Sequence, residues 1–250
     1  MWIYAPEVSL AGGSFDHSTL TVVLKEHVMN GAVDYAAIKK DKRFDEYITA
    51  LSGIDPYTIH DDNERLAFWI NAYNAFTIKL VNEHYPVKSI RDITRGETGP
   101  WDIVWIELGK KRYSLNQIEH DVIRKEFDEP RIHMALVCAA VSCPPLRSEA
   151  YTGKTLDRQL QDNAAEFLRD TTKNRYDERS NTLHLSELFN WYRKDFVVKY
   201  GSAERFALQV MGRPDVKPAV VKYLPYDWGL NDKQTEPTHQ PPNVHESPRH

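Results

Sequence analysis

Between Asn63 and His84 the chain reads as one helix that is apolar on nearly every side. It carries Leu66, Ala67, Phe68, Trp69, Ile70, Ala72, Tyr73, Ala75, Phe76, Ile78, Leu80 and Val81. A helix lying on a domain surface needs only a stripe of such residues. One that is apolar all round has to run through the middle, with other elements covering it. Pro86 closes it, because proline removes a backbone donor and clashes with the preceding turn. The chain has 250 residues, of which 41% are apolar, which is ample to supply that cover.

The remaining periodicities supply the covering elements. Asp16 or Ser18 caps a helix through about Asn30, with Leu20, Val23, Leu24 and Val28 on one face and Gly31 as its stop. Asp41 opens another, with Phe44, Tyr47, Ile48 and Leu51 at helical spacing and Gly53 as stop. Ile103–Leu108 and Arg112–Ser114 flank Gly109-Lys110-Lys111 and read as a short hairpin. Ser114 followed by Gln117 is a capping box that opens a helix over Leu115–Phe127. After Pro130 a helix is expected over Arg131–Val141, broken by Pro144-Pro145. Thr155 caps a helix along Leu156, Leu160, Ala164, Phe167 and Leu168. Thr182–Leu185 suits a short strand, Ser186 caps a helix through Phe196, and another helix follows over Ala203–Met211. The expected fold is mainly α (α+β), a helical domain with a small β-hairpin or short sheet. A single globular domain spans 15–231, between an irregular lead over 1–14 and a polar, proline-rich, disordered tail over 232–250.

The totals narrow the partners. The formal charge of −4 and the lack of any long basic run argue against a nucleic-acid surface. No apolar stretch reaches the roughly 18 residues of a membrane span. The first residues, Met1-Trp2-Ile3-Tyr4-Ala5-Pro6, have neither the positive region nor the long apolar region of an export signal, which leaves localisation open. The expected ligand is a small molecule or peptide, with no cofactor and no metal. Two cysteines, Cys138 and Cys143, cannot build a disulfide scaffold, and the paired spacing of common zinc sites is missing. A bridge between them requires a break in the helix before Cys143, since residues five apart on a continuous helix are about 8–9 Å apart.

The chemistry-bearing candidates are polar residues on apolar faces. Asn71 and Asn74 share a face of the central helix. They serve either as clamps for a neighbouring loop or as amides that position a ligand. Glu119 lies on the stripe Leu115, Ile118, Val122, where a carboxylate is paired with a cation such as Arg131 or Arg147 or is available for acid–base work. His133 interrupts the run before the cysteines, and His120 adjoins Glu119. Cys138 reads as packing, whereas Cys143, ahead of two prolines, is the better-placed nucleophile. It needs a base or a positive neighbour, for which His120, His133, His184 and Arg147 are candidates.

Several segments together resemble the family known as domain of unknown function 547. They are Phe15-Asp16-His17, Gly31–Tyr35, Phe68–Ala75, Tyr113-Ser114-Leu115 with Ile118-Glu119-His120, Arg131-Ile132-His133 with Ala135-Leu136, Ser142–Leu146, and Tyr226-Asp227-Trp228 with Leu230-Asn231. The resemblance implies no established activity. Bacterial relatives are often exported, and some eukaryotic relatives join this domain to glutaredoxin-like modules. In plant relatives the position matching Cys143 can be serine, which fits a nucleophile better than a strictly redox cysteine.

Two functional expectations follow. One is a hydrolase or acyl transferase in which Cys143 is the nucleophile, His133 or His120 the base and Glu119 its orienting partner. Asn71, Asn74 and Arg147 would then hold the substrate. The other is a non-catalytic binding or adaptor domain in which the same groups form a satisfied internal network. A cleft shared by Glu119, His120, His133, Cys143 and Asn71 favours the first, and scattered packing roles favour the second.

Overall fold

A computed structural model of the chain describes residues 13–233. The expected lead and tail fall largely outside the described residues. At the C-terminal end, contacts continue through Asp232, whose carboxylate accepts a hydrogen bond from Tyr85 at 2.7 Å.

The fold is mainly α with a few short strands. In chain order, α1 (Ser18–His27) leads into a two-residue hairpin, β1 (Val28–Met29) with β2 (Ala32–Val33), then α2 (Tyr35–Ile38), α3 (Lys42–Ser52) and α4 (Asp62–His84). Antiparallel strands β3 (Ile106–Leu108) and β4 (Lys111–Tyr113) follow. A π-helical segment, Gln117–Ile123, runs into the short α5 (Arg124–Glu126), and a 3₁₀ turn covers Pro130–Met134. Beyond it lie α6 (Leu156–Arg169), β5 (Arg175–Asp177), β6 (Thr182–Ser186), α7 (Glu187–Trp191), α8 (Val197–Tyr200), α9 (Ala203–Val210) and β7 (Val220–Leu224). The last sheet is ordered β5-β6-β7, antiparallel then parallel.

Helix α4 is central, as its composition requires, and every residue from Leu66 to Ile78 is buried. Asp61 caps it by accepting from the Glu64 N–H at 2.9 Å. Most buried apolar side chains pack around this helix. A second, smaller cluster gathers Met134, Phe167, Phe189, Phe196 and Phe206 beneath the three-stranded sheet. Helix α6 joins the two, with Leu156 and Leu160 in the first cluster and Ala164, Phe167 and Leu168 in the second.

Three local expectations are corrected. The first helix stops at His27 rather than Asn30, because Asn30-Gly31 forms the tip of the β1–β2 hairpin with φ of 52° and 79°. Asn-Gly is the strongest short hairpin signal, and here it overrides the helical spacing of Val28. The capping box at Ser114 and Gln117 forms in both directions, at 2.9 and 3.1 Å. The segment it opens is nevertheless largely π-helical, a form concentrated at functional sites.

The third correction concerns Arg131–Val141, which is not a helix. After the 3₁₀ turn the chain runs irregularly, and Ala139 adopts φ 60°. Its backbone groups are satisfied from outside. Asn163 Nδ2 donates to Met134 O at 2.8 Å and Asn74 Nδ2 to Ala135 O at 2.8 Å. The Val137 N–H donates to Asn74 Oδ1 at 2.9 Å. Residues 227–231 run alongside, with Val141 N donating to Gly229 O at 2.8 Å and Asn231 N to Ala139 O at 3.1 Å. Side-chain amides and a neighbouring strand-like segment thus replace the bonds a helix would make.

One buried histidine makes this packing sensitive to pH. His17 sits against Phe15 and Phe68, bonded through Nδ1 to the Tyr47 hydroxyl at 2.7 Å. Burial pushes its pKa down to about 3. The unfolded chain takes up a proton near pH 6.5 that the folded chain refuses. Stability is therefore whole above that pH and falls as pH drops towards 3. The loss attributable to His17 between pH 7 and pH 5 is about 2 kcal/mol. Urea unfolding at both pH values checks it, since His17→Gln should shrink the difference by that amount.

Candidate functional site

The π segment turns Glu119 inward, where its side chain is buried on the floor of a cavity of about 380 Å³. That volume lies within the range of about 300–1,000 Å³ common to small-molecule sites. The cavity opens between the two apolar clusters. Tyr73 of α4 and Leu136 come from one side, and Leu188 and Tyr192 from the other.

Tyr73, Tyr192 and Trp101 line the cavity together with Glu119, and the Glu119 charge acts on both tyrosine hydroxyls. Burial, reinforced by the Glu119 charge, pushes the Tyr73, Tyr192 and Tyr226 hydroxyls well above the usual tyrosine range. The expected cations are elsewhere. Arg131 bonds Glu129 and Asp157, each at 2.7 Å. Arg147 bonds Glu149 at 2.7 Å and Asn163 Oδ1 at 3.0 Å. Among the described residues no lysine or arginine comes within ion-pair range of Glu119, and His120 Nδ1 stands 4.0 Å away. Arg124 Nη1 lies 2.9 Å from that same nitrogen. Arginine only donates, so His120 Nδ1 presents a lone pair there rather than a proton.

His133 also reaches the cavity wall. Its ring stacks on Tyr192 with centroids 3.8 Å apart, and Nε2 lies 2.8 Å from Asp195 Oδ2. A carboxylate only accepts, so the proton is on Nε2. Nδ1 is buried without a hydrogen-bond partner. Burial lowers the His133 pKa, partly opposed by the bond to Asp195, and keeps the ring neutral. Burial would raise Asp195, but bonds from His133 and from Arg124 (2.7 and 2.8 Å) outweigh it and hold that carboxyl well below its usual range. The orienting carboxylate of His133 is thus Asp195 rather than Glu119.

The cysteines meet on the same wall. Because the chain is irregular here, their Cα atoms approach to 6.3 Å and Cys138 and Cys143 form a disulfide. The Tyr226 hydroxyl lies 3.2 Å from the Cys143 sulfur and 3.3 Å from that of Cys138. In this form Cys143 has no thiolate to offer.

Of the residues singled out in the sequence, the structure brings Glu119, His133 and Cys143 to one cavity. His120 is not among the residues that line it; its Nδ1 stands 4.0 Å from Glu119 and its ring 6.2 Å from that of Tyr192. Asn71 and Asn74 are clamps. The Asn71 amide bonds both the C=O and the N–H of Tyr151, at 2.8 and 2.9 Å. Asn74 does the same across Ala135 and Val137. Arg147 is bound among α6 residues, away from the cavity. A group of Glu26, His27 and Asp41 draws close enough to hold a metal, but Arg43 already bonds both carboxylates there. Sequence reasoning missed Asp195 and the aromatic wall of Trp101, Trp191, Tyr226 and Trp228. The signal available was Tyr226-Asp227-Trp228, two large rings on either side of an acidic residue, which the family resemblance already singles out.

No curated protein and no solved structure matches the chain. Residues 58–168, which carry α4, the Glu119 segment, His133 and both cysteines, match the family model described as "Protein of unknown function, DUF547", the family that the sequence motifs resemble.

Proposed function

We propose that the protein takes a small organic molecule into this cavity and acts on it as a thiol-dependent hydrolase or acyl transferase. The observation that carries the reading is the convergence of Glu119, His133 and Cys143 on one cavity. In the reduced form the Cys143 sulfur attacks a substrate carbonyl while its proton passes to neutral His133. The leaving group departs with that proton, and water or a second acceptor then cleaves the thioester and restores the thiol. Asp195 holds the histidine, and Glu119 fixes the substrate. The disulfide is the resting, protected form.

Turnover of a panel of activated esters and thioesters, measured before and after reduction, tests this reading. Reduction should raise the rate at least about tenfold, and Cys143→Ala should return it to the oxidised level. Equal rates in the reduced wild type and Cys143→Ala would sink the nucleophile.

The second reading, a binding domain without turnover, is favoured by the disulfide and by the fully engaged amides of Asn71 and Asn74. It expects ligand binding with no turnover in either redox state.

A further inference from the structure

The cavity has a composition that selects for charge. Its lining includes the buried Glu119 carboxylate, which among the described residues has no arginine or lysine in ion-pair range and has Tyr73 and Tyr192 beside it on the lining. A buried anion so placed is costly, and a ligand that brings a positive charge recovers part of that cost on binding. Trp101, Trp191, Tyr226 and Trp228 line the same cavity and pack against one another. Trp191 and Tyr226 meet with centroids 4.9 Å apart at 48°, Tyr226 and Trp228 at 4.6 Å and 48°, and Trp101 and Trp228 at 5.6 Å and 67°. Trp191 and Trp228 lie nearly parallel, at 19° with centroids 5.8 Å apart, and all four rings line the cavity, where an aromatic face attracts a cation. At least one face already receives a cation, since the Arg91 guanidinium sits 5.3 Å from the centre of the Trp228 ring. Arg91 and Asp102, of opposite charge, both line the cavity, which leaves Glu119 as the other carboxylate on its lining.

From this arrangement we infer that the cavity recognises a small cation, an alkylated ammonium group, with Glu119 as its counter-ion and Trp191, Tyr226 and Trp228 as its cage. This rests on the small-molecule reading of the cavity but not on the cysteine chemistry. An ammonium carrying methyl groups suits both halves of the site. Its charge is spread over a surface that packs on ring faces, and when fully methylated it has no N–H and needs only the nearby charge of Glu119 rather than a hydrogen-bond acceptor.

The test compares choline with 3,3-dimethyl-1-butanol, which has the same shape without the charge. The oxidised full chain is titrated with each and followed by tryptophan fluorescence. Choline should bind at least about tenfold more tightly than the alcohol. Glu119→Gln, similar in shape but uncharged, should bring the two affinities together. Trp228→Leu, at the half-exposed mouth, should weaken choline about tenfold while leaving the alcohol within about twofold, and it serves if the buried substitution fails to fold. Equal affinity of the wild type for both probes, or a preference for the alcohol, overturns the cation assignment and leaves the small-molecule cavity standing. Binding of neither probe overturns both. Turnover does not enter, so loss of the nucleophile reading leaves this result unaffected.

Discussion

Replacing Asn74 by alanine is expected to lower the free energy of unfolding by about 4 kcal/mol. The side chain is buried and makes both of its bonds to the backbone of the irregular cysteine segment, at 2.8 Å to Ala135 O and 2.9 Å from Val137 N. Alanine leaves a carbonyl and an N–H buried without partners, at about 1–3 kcal/mol each. The vacated volume adds a smaller cavity term. In a domain of this size the fall in Tm is about 10 °C. Thermal and urea unfolding measure it, and amide exchange at Val137 should quicken in the same variant. A loss below about 1 kcal/mol would mean that the amide does not hold this segment. Because Cys138 and Cys143 lie just beyond the clamp, the variant should also disturb the cavity wall, although Asn74 itself is not part of it.

Gly31→Ala is expected to cost about 3 kcal/mol, against about 1 kcal/mol for Gly96→Ala. Both glycines have positive φ, 79° and 67°, so both pay the same conformational penalty for gaining a Cβ. They differ in what that Cβ meets. At Gly96 nothing lies within 4 Å, whereas at Gly31 the backbone Cα and the Cβ of Pro145 stand 2.8 Å away. Backbone cannot yield as a flexible side chain does, so the hairpin tip or the Pro144-Pro145 segment must move. Gly31 is also bridged to Leu146, so that movement reaches the strand-like contacts behind Cys143. Urea midpoints of the two variants, measured side by side, isolate the packing term. Equal losses would show that φ alone matters at Gly31.

Much of the fold was legible because local rules and global packing agree there. The all-round apolar run 66–81 demanded a central helix, and α4 is one. The Asp41 cap and the Ser114–Gln117 box operate as their spacing requires. Where the rules compete, the sequence was ambiguous. Val28 continues the helical stripe of α1, but it also begins a strand, and the left-handed turn at Asn30-Gly31 decides the matter. The small, apolar run Met134–Ala140 has helical composition. It is held open by amides from α4 and α6 that lie far away in the chain, and no local pattern reveals them.

The candidate site divides in the same way. By itself the sequence determined that Glu119, His133 and the cysteines were polar groups set among apolar neighbours, because burying such groups is costly and their neighbours are visible in one dimension. It could not say which of them meet. The tertiary structure alone decided that Asp195, 62 residues beyond His133, is its partner, and that Asn71, Asn74 and Arg147 spend their hydrogen bonds on the backbone and on neighbouring side chains. It also decided that four rings from three separate stretches line one cavity with Glu119. The physical reason is that hydrogen bonds and ring contacts depend on distance in space, while periodicity records only which face of its own element a residue occupies.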